Sequence, residues 1–191
     1  MMVKVCGITR REDALVAAEA GASAIGFIFY PKSPRFITPE RAAVLGEGLD
    51  VWKVGVFVDE SPVTVEAVMR AAALDVAQIY GGSVAPGTRV WRAFRVAASH
   101  SSTSSVSWEG EAEAILLDGV KNGVSFDWSL ARGAAENVIV AGGLDASNVA
   151  EAIRIAEPWG VDSSSKLETA PGIKDHEKVR AFVRAAREAT W

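Results

Sequence analysis

Residues 3–29 read VKVCGITRREDALVAAEAGASAIGFIF, and this stretch decides the fold. It begins and ends with short apolar runs, VKVCGI at 3–8 and AIGFIF at 24–29. The segment between them, RREDALVAAEAGA, has helical character, with Thr9 as the predicted N-cap and Gly21 as the stop. Strands that are apolar throughout are typical of a parallel sheet covered on both faces. The stretch therefore predicts one strand–helix–strand unit.

The same unit recurs along the whole chain. Further apolar runs predict strands at 52–58, 76–80, 89–96, 114–118, 138–143 and 159–164. Thr38 and Ser61 are predicted N-caps, because each is followed by a proline in the first helical position. Strand then helix, repeated about eight times, predicts parallel pairing through right-handed crossovers. We expect residues 1–191 to form a single (β/α)8 TIM barrel domain, with an open doubly wound sheet as the structural alternative.

The outer ring of helices is predicted to be thin in two places. Only GGSVAPGT, residues 81–88, joins the fourth and fifth strands, and eight residues are too few for a full helix. The segment after the fifth strand, residues 97–113, carries a serine run that forms helices poorly. The sequence therefore predicts a compact barrel with a reduced helix between strands four and five and an irregular segment after strand five.

Composition excludes several classes of function. The 191 residues are 49% hydrophobic and 23% charged, as in ordinary globular proteins. The net charge of −4 provides no basic field to attract nucleic acid. One cysteine cannot form an internal disulfide, and with two histidines it argues against a structural zinc site. Without a membrane-length apolar run or a basic-then-apolar leader, the sequence predicts a cytoplasmic protein that binds neither nucleic acid nor membrane.

The residues that carry reactive groups fall at one end of the predicted barrel. Catalytic groups of this fold lie at the C-terminal ends of strands and in the loops that follow. Cys6 ends strand one, Asp118 ends strand six, Gly142–Gly143 ends strand seven, a serine triplet ends strand eight, and Arg35 follows strand two. A lone thiol is more often buried filler, and a lone aspartate is often a turn residue. Their joint placement at one rim favours an active site.

The chemistry of this set suits proton transfer on an anionic substrate. A thiolate accepts a proton, and a carboxylic acid donates one. Backbone N–H groups of glycine and serine turns can hold a phosphate, and an arginine can hold a carboxylate with two hydrogen bonds. An acid and a base at a mouth that binds phosphate are the groups needed for an isomerisation.

Seven motifs together carry a resemblance that spans strand one to the last helix. They are KVCGIT, GFIFYPKSPRFI, VGVFVD, ILLDG, FDWS, VAGGLDASNV and APGIKDHEKV. In this order and spacing they resemble the phosphoribosylanthranilate isomerase family of tryptophan biosynthesis. No single motif is decisive, but their combination is specific.

The resemblance implies an Amadori rearrangement without metal or organic cofactor, in a monomer or a homodimer. N-(5-phosphoribosyl)anthranilate would become 1-(2-carboxyphenylamino)-1-deoxyribulose 5-phosphate. By motif position, Asp118 matches the general acid that protonates the ring oxygen, and Cys6 matches the general base that removes the C2′ proton. Arg35 matches the arginine that holds the anthranilate carboxylate. The other predicted substrate-binding residues are Gln78, Gly142, Gly143, Asp162, Ser164, Ser165 and Lys166.

These roles set expectations for two pKa values. A thiol with an ordinary pKa near ~8.5 needs only modest lowering to act as a base. Asp118 must stay protonated near neutrality although a free aspartate has a pKa near ~3.9. We therefore predict that burial or a neighbouring anion raises the pKa of Asp118.

The sequence departs from the family pattern at two site positions. Lys166 stands where a serine-serine-glycine turn usually has glycine, so it forces a different turn or brings a compensating charge. Tyr80 stands where histidine is usual. Asp127 in the FDWS motif is interpreted as a helix N-cap, and His100 and His176 are assigned to surface or capping roles.

Two alternatives stay open from the sequence. The first is another phosphate-binding barrel enzyme, similar to indole-glycerol-phosphate synthase or to a sugar-phosphate epimerase. The second is a barrel that binds an anionic metabolite without turnover. Lys166 favours the second, whereas the presence of both Cys6 and Asp118 argues against it.

Overall fold

The structure is a computed structural model that describes residues 1–96, 112–120 and 124–189. Eight parallel strands pair in chain order into a closed barrel. They are β1 Met2–Cys6, β2 Ala24–Ile28, β3 Trp52–Val58, β4 Val76–Tyr80, β5 Val90–Val96, β6 Ala114–Gly119, β7 Val138–Val140 and β8 Gly160–Ser163. The predicted TIM barrel is confirmed. The alternative prediction of an open doubly wound sheet is wrong, because β1 pairs with β8.

Helices cover the barrel on its outside. In the described residues the α-helices are α1 Arg11–Glu19, α2 Pro39–Gly46, α3 Pro62–Ala71, α4 Val149–Ala156 and α5 His176–Glu188. Thr38 and Ser61 cap α2 and α3 as predicted, since their hydroxyls accept hydrogen bonds from backbone N–H groups in the first turn. The N-cap assigned to Thr9 is wrong. Arg10 occupies that position, and the Thr9 hydroxyl instead donates to the distant Gly172 carbonyl.

The outer ring is thin where the sequence predicts it. Residues 81–89, between β4 and β5, contain no helix. A single 3-10 turn, Trp128–Ala131, follows β6, and Asp127 caps it by accepting a hydrogen bond from the Ser129 N–H. Most of the serine-rich segment, including His100, lies outside the described residues. Within the described ranges, no helix has the length and apolar character to cross a membrane.

Side-chain alternation along β1 fills the inside of the barrel. Val3 and Val5 pack into the core between strands and helices, whereas Met2 belongs to a separate cluster inside the barrel. Because successive side chains point to opposite faces, Lys4 and Cys6 share the inner face with Met2. Three tryptophans close this interior at the N-terminal ends of the strands. They are Trp52, Trp91 and Trp159, whose ring centroids lie 5.9–6.3 Å apart.

A short antiparallel hairpin follows β8 and was not predicted. Its strands are β9 Glu168–Ala170 and β10 Ile173–Lys174. Each strand has only two or three residues, which is too short for a pattern of alternation to show in the sequence. The hairpin carries Glu168 and Lys174, which contact each other through a 2.9 Å ion pair.

A buried carboxylate joins α1 to the segment that enters α5. The Asp13 side chain is fully buried and accepts hydrogen bonds from Arg10 Nη2 at 2.6 Å and from the Lys174 backbone N–H at 3.2 Å. His176 Nε2 lies 2.9 Å from Asp13 Oδ1. Burial acts to raise the pKa of Asp13, but the hydrogen bonds outweigh it and hold this pKa below its ordinary value. His176 opens α5 and is partly exposed, but the N-cap of this helix is Asp175, so His176 does not have a capping role.

Replacing this carboxylate tests its contribution to stability. We expect Asp13→Asn to lower the free energy of unfolding at neutral pH by about 2 kcal/mol, the scale of a buried hydrogen bond to a charged group. Because folding lowers the pKa of Asp13, the stabilisation is fully present above the unfolded pKa near ~3.9. It is lost as the pH falls through the lower folded pKa. Urea unfolding of both proteins between neutral and acidic pH measures the difference.

A matched control is Glu66→Gln on α3. Glu66 Oε1 lies 2.7 Å from Arg70 Nη2, but both side chains are more than half exposed. An exposed ion pair of this kind contributes at most about 0.5 kcal/mol. An Asp13→Asn protein as stable as the Glu66→Gln protein at neutral pH would contradict the expectation.

Candidate active site

One cavity of about 250 Å³ opens at the C-terminal ends of the strands. All ten predicted site residues line it. They are Cys6, Arg35, Gln78, Asp118, Gly142, Gly143, Asp162, Ser164, Ser165 and Lys166. The structure therefore brings together the residues that the sequence placed at one rim, while their individual roles stay predictions.

Cys6 ends β1 where the chain turns sharply. Gly7 has a φ of +75°, and the N–H groups of Gly7 and Ile8 both donate to the Gly26 carbonyl at 2.9 Å. The thiol is only 5% exposed. A Cβ added at Gly26 would lie 2.7 Å from Cys6 Sγ, so the glycine on β2 leaves the room that the thiol occupies. The turn and the glycine together hold the sulfur at the floor of the cavity.

The pKa of Cys6 differs from the sequence expectation. Burial raises this pKa, whereas the positive charge of Lys4 lowers it. Burial prevails, and the pKa of the thiol lies above its ordinary value. The expected modest lowering is therefore wrong, because the sequence did not reveal how completely the barrel encloses the sulfur.

Asp118 lies near the end of β6. Its side chain is 17% exposed, and burial raises its pKa above the ordinary value, which confirms the predicted direction. Two groups oppose this effect. The Tyr80 hydroxyl donates to Asp118 Oδ2 at 3.1 Å, and Arg95 Nη1 lies 3.9 Å from the same oxygen. Tyr80, which replaces the usual histidine, thus contacts the proposed acid directly.

Arg35 is held by a carboxylate that the sequence analysis missed. Its Nε and Nη2 donate to the two oxygens of Glu168 at 2.8 and 2.7 Å. Lys174 Nζ donates to Glu168 Oε1 at 2.9 Å. Burial acts to raise the pKa of Glu168, but the hydrogen bond from Arg35 and the charge of Lys174 lower it below its ordinary value. A glutamate at the start of a three-residue strand carries no sequence signal of this contact.

Gly142 and Gly143 form a turn after β7 that only glycine fits. Their φ angles are +85° and +69°. A Cβ added at Gly142 would lie 2.6 Å from the Gly119 nitrogen and 3.0 Å from Asp118 Oδ1. This turn therefore packs directly beside the carboxyl group, and successive backbone N–H groups of such turns form concave sites for anions.

Lys166 takes the place of glycine without strain. It belongs to a 3-10 turn, Ser165–Leu167, in which Leu167 is buried and Lys166 is exposed. Lys166 is not among the residues with positive φ. The lysine thus sits in a 3-10 turn, and it lines the cavity.

Gln78 and Asp162 are buried strand residues that line the cavity. Gln78 is in the middle of β4, and it lines the cavity. Asp162 Oδ1 lies 3.0 Å from Lys4 Nζ. The sequence analysis missed Lys4. Its position two residues before Cys6 on the same strand indicates that both side chains point to the same face.

A closed parallel barrel whose mouth joins a thiol, a carboxyl group and glycine and serine turns has the architecture of a (β/α)8-barrel enzyme. The particular family follows from its relatives. The chain belongs to the N-(5′-phosphoribosyl)anthranilate (PRA) isomerase family, whose sequence model matches residues 3–185.

Similar proteins agree over nearly the whole chain. A relative from Solibacter usitatus, named N-(5′-phosphoribosyl)anthranilate isomerase, is 50% identical and covers 99% of this chain and 98% of its own. The crystal structure of phosphoribosyl anthranilate isomerase from Thermus thermophilus has 36% identity, a TM-score of 0.89 and full coverage of both chains. Another, in complex with reduced 1-(o-carboxyphenylamino)-1-deoxyribulose 5-phosphate, has 35% identity, a TM-score of 0.82 and 98% coverage of both. The predicted family is confirmed over the synthase-like and epimerase-like alternatives.

The contact between Tyr80 and Asp118 predicts a measurable pKa change. Removing the hydroxyl in Tyr80→Phe removes a hydrogen bond to the charged carboxylate, so we expect the pKa of Asp118 to rise further, by about one unit. Carbon NMR titration of the aspartate carboxyl groups measures this, with Asp118→Asn to assign the signal.

Tyr30→Phe provides the control, since Tyr30 lines the same cavity but has no hydrogen bond to Asp118 in the described structure. We expect the Asp118 titration to be unchanged in it. A lower or unchanged pKa in Tyr80→Phe would show that the hydroxyl does not stabilise the carboxylate.

Proposed function

We propose that this PRA isomerase family member performs its Amadori rearrangement with Asp118 as general acid and Cys6 as general base. The observation that supports these roles is the placement of both groups on one cavity beside a glycine and serine rim. Family membership makes the reaction an aldose–ketose isomerisation in tryptophan biosynthesis. The substrate is a phosphorylated small molecule.

The reaction begins with proton donation. Asp118 protonates the ring oxygen of the ribose as the C1′–O bond breaks, and the anthranilate nitrogen supplies the electron pair that forms a protonated Schiff base. A raised pKa suits this role, because it keeps the carboxyl group protonated closer to neutral pH.

Proton removal follows at C2′. The positive charge of the Schiff base makes the adjacent C–H bond acidic, so a base of moderate strength suffices. The Cys6 thiolate takes this proton, and the C–H electron pair forms the double bond of an enolamine. The enolamine then tautomerises to the ketone product. No oxidant or reductant is consumed.

The substrate's two anionic ends are assigned to different groups at the mouth. Arg35 would hold the anthranilate carboxylate, with Glu168 fixing the plane of its guanidinium. The turn of Gly142 and Gly143, together with Ser164 and Ser165, would hold the phosphate through backbone N–H groups. Lys166 adds a positive charge there. A relative holds a reduced form of the product, which supports this substrate class.

Two substitutions test the acid and the base. We expect Cys6→Ser and Asp118→Asn each to lower kcat about 10²- to 10⁴-fold, the contribution of a general acid or base, while substrate binding is retained. The loss of anthranilate fluorescence from phosphoribosylanthranilate measures turnover, and binding to the inactive proteins is measured separately.

Asp127→Asn serves as the matched control, because Asp127 is an exposed cap for the turn after β6 and does not line the cavity. Its turnover should equal that of the wild type. Full activity in either site variant would remove that residue from the mechanism. Substrate binding without turnover in the wild type would favour a barrel that binds an anionic metabolite only.

The Glu168 contact predicts an effect on substrate affinity. In Glu168→Gln one of the two charge-assisted hydrogen bonds to Arg35 is lost, so the guanidinium is less well oriented. We expect KM to rise about tenfold with kcat nearly unchanged, a change on the scale of one hydrogen bond to a charged group. Steady-state kinetics on phosphoribosylanthranilate measure both constants. Glu177→Gln, an exposed change on α5, should leave both constants unaltered, and a kcat effect without a KM effect in Glu168→Gln would contradict the assignment.

A further inference from the structure

A lysine buried inside the barrel has no place in the mechanism described so far. Lys4 lies two residues before Cys6 on the inner face of β1, and none of its surface is exposed. Its Nζ lies 3.0 Å from Asp162 Oδ1. Neither of these two atoms has a well-directed hydrogen bond within the described residues. A buried ammonium group whose three donors are not fully used is costly unless another group shares its charge.

The lysine and the thiol share the space that one glycine leaves open. A Cβ added at Gly26 would lie 2.7 Å from Cys6 Sγ and 3.0 Å from Lys4 Cε. Gly26 also pairs directly with Cys6 in the β1–β2 register. The side-chain stem of Lys4 therefore runs upward beside the sulfur, and its ammonium contacts the anion on the other neighbouring strand, β8.

We propose that Lys4 is a positioning residue whose ammonium group stabilises the Cys6 thiolate, and that Asp162 opposes this by binding the same ammonium group. The inference rests on the proposed role of Cys6 as the base. In this arrangement Lys4 on β1 and Asp162 on β8 together set the fraction of the protein in which Cys6 is a thiolate. The sulfur takes the substrate proton, and Lys4 remains paired with Asp162.

Other charged and titratable groups face Cys6 from the remaining walls, and they do not replace Lys4. Lys174 and Arg35 are both bound to Glu168, which compensates one of their two positive charges. Tyr80 and Asp118 lie across the mouth and hydrogen-bond to each other. Burial has the largest influence on the thiol pKa, the charge of Lys4 comes next, and Lys174 has a smaller lowering effect. Asp162 raises it.

The single cysteine makes the test direct. The thiolate ultraviolet absorbance, measured against pH with Cys6→Ser as the blank, reports one group in the whole chain. Asp162→Asn removes the opposing anion and is expected to lower the thiol pKa by about one unit. Lys4→Met is expected to raise it by about one to two units.

Lys4→Met leaves a buried carboxylate without its partner, so it is paired with a variant that avoids this cost. In the double variant Lys4→Met/Asp162→Asn no unpaired charge remains. Because Lys4 has a larger influence on the thiol than Asp162, we expect the thiol pKa of the double variant to lie above that of the wild type.

The control is another lysine–aspartate pair. Lys53 and Asp75 lie 3.2 Å apart and do not line the cavity, so Lys53→Met should leave the thiol titration unchanged. The proposal is overturned if Asp162→Asn and the double variant leave the thiol pKa unchanged or shift it in the same direction. If the thiol pKa moves as expected while the pH dependence of kcat does not follow, the base role of Cys6 fails and the Lys4 contact stands.

Discussion

The pairing of β1 with β8 is the constraint on which the rest of the structure depends. Residues about 160 positions apart meet in this register, in which Lys4 lies opposite Asp162 and Val5 lies opposite Ser163. Closing the sheet removes both of its open edges and encloses a narrow interior. The same closure brings the end of the first strand beside the serine turn after the last one, so this pairing both closes the barrel and completes the cavity.

Enclosure has opposite consequences for the two groups of the proposed mechanism. Burial raises the pKa of Asp118, which favours a proton donor, and it also raises the pKa of Cys6, which disfavours a proton acceptor. Each group has a neighbour that opposes the shift. Tyr80 donates a hydrogen bond to the carboxyl group, and Lys4 brings a positive charge to the thiol. A barrel that excludes water thus needs a compensating partner beside its base more than beside its acid.

The departures from the family pattern are accommodated by local geometry. Lys166 fits because its turn is a 3-10 turn without positive φ, so a side chain there meets no steric penalty. Tyr80 fits because its ring lies beside Arg95, 5.2 Å from the guanidinium carbon, while its hydroxyl reaches Asp118. Both changes keep a polar side chain at the mouth, and neither displaces Cys6 or Asp118 from it.

The sequence by itself determined the eight strands, most helix starts and the residues that line the mouth, because apolar runs, caps and strand ends are local patterns. Only the tertiary structure decided the partners of those residues. Thr9 bonds to Gly172 instead of capping α1, Arg35 is bound by Glu168, and Lys4 contacts Asp162. These contacts join residues far apart in the chain, and the pKa of a thiol depends on how completely such neighbours enclose it. A local sequence pattern predicts neither these contacts nor this enclosure, since charge and burial act through space and not along the sequence.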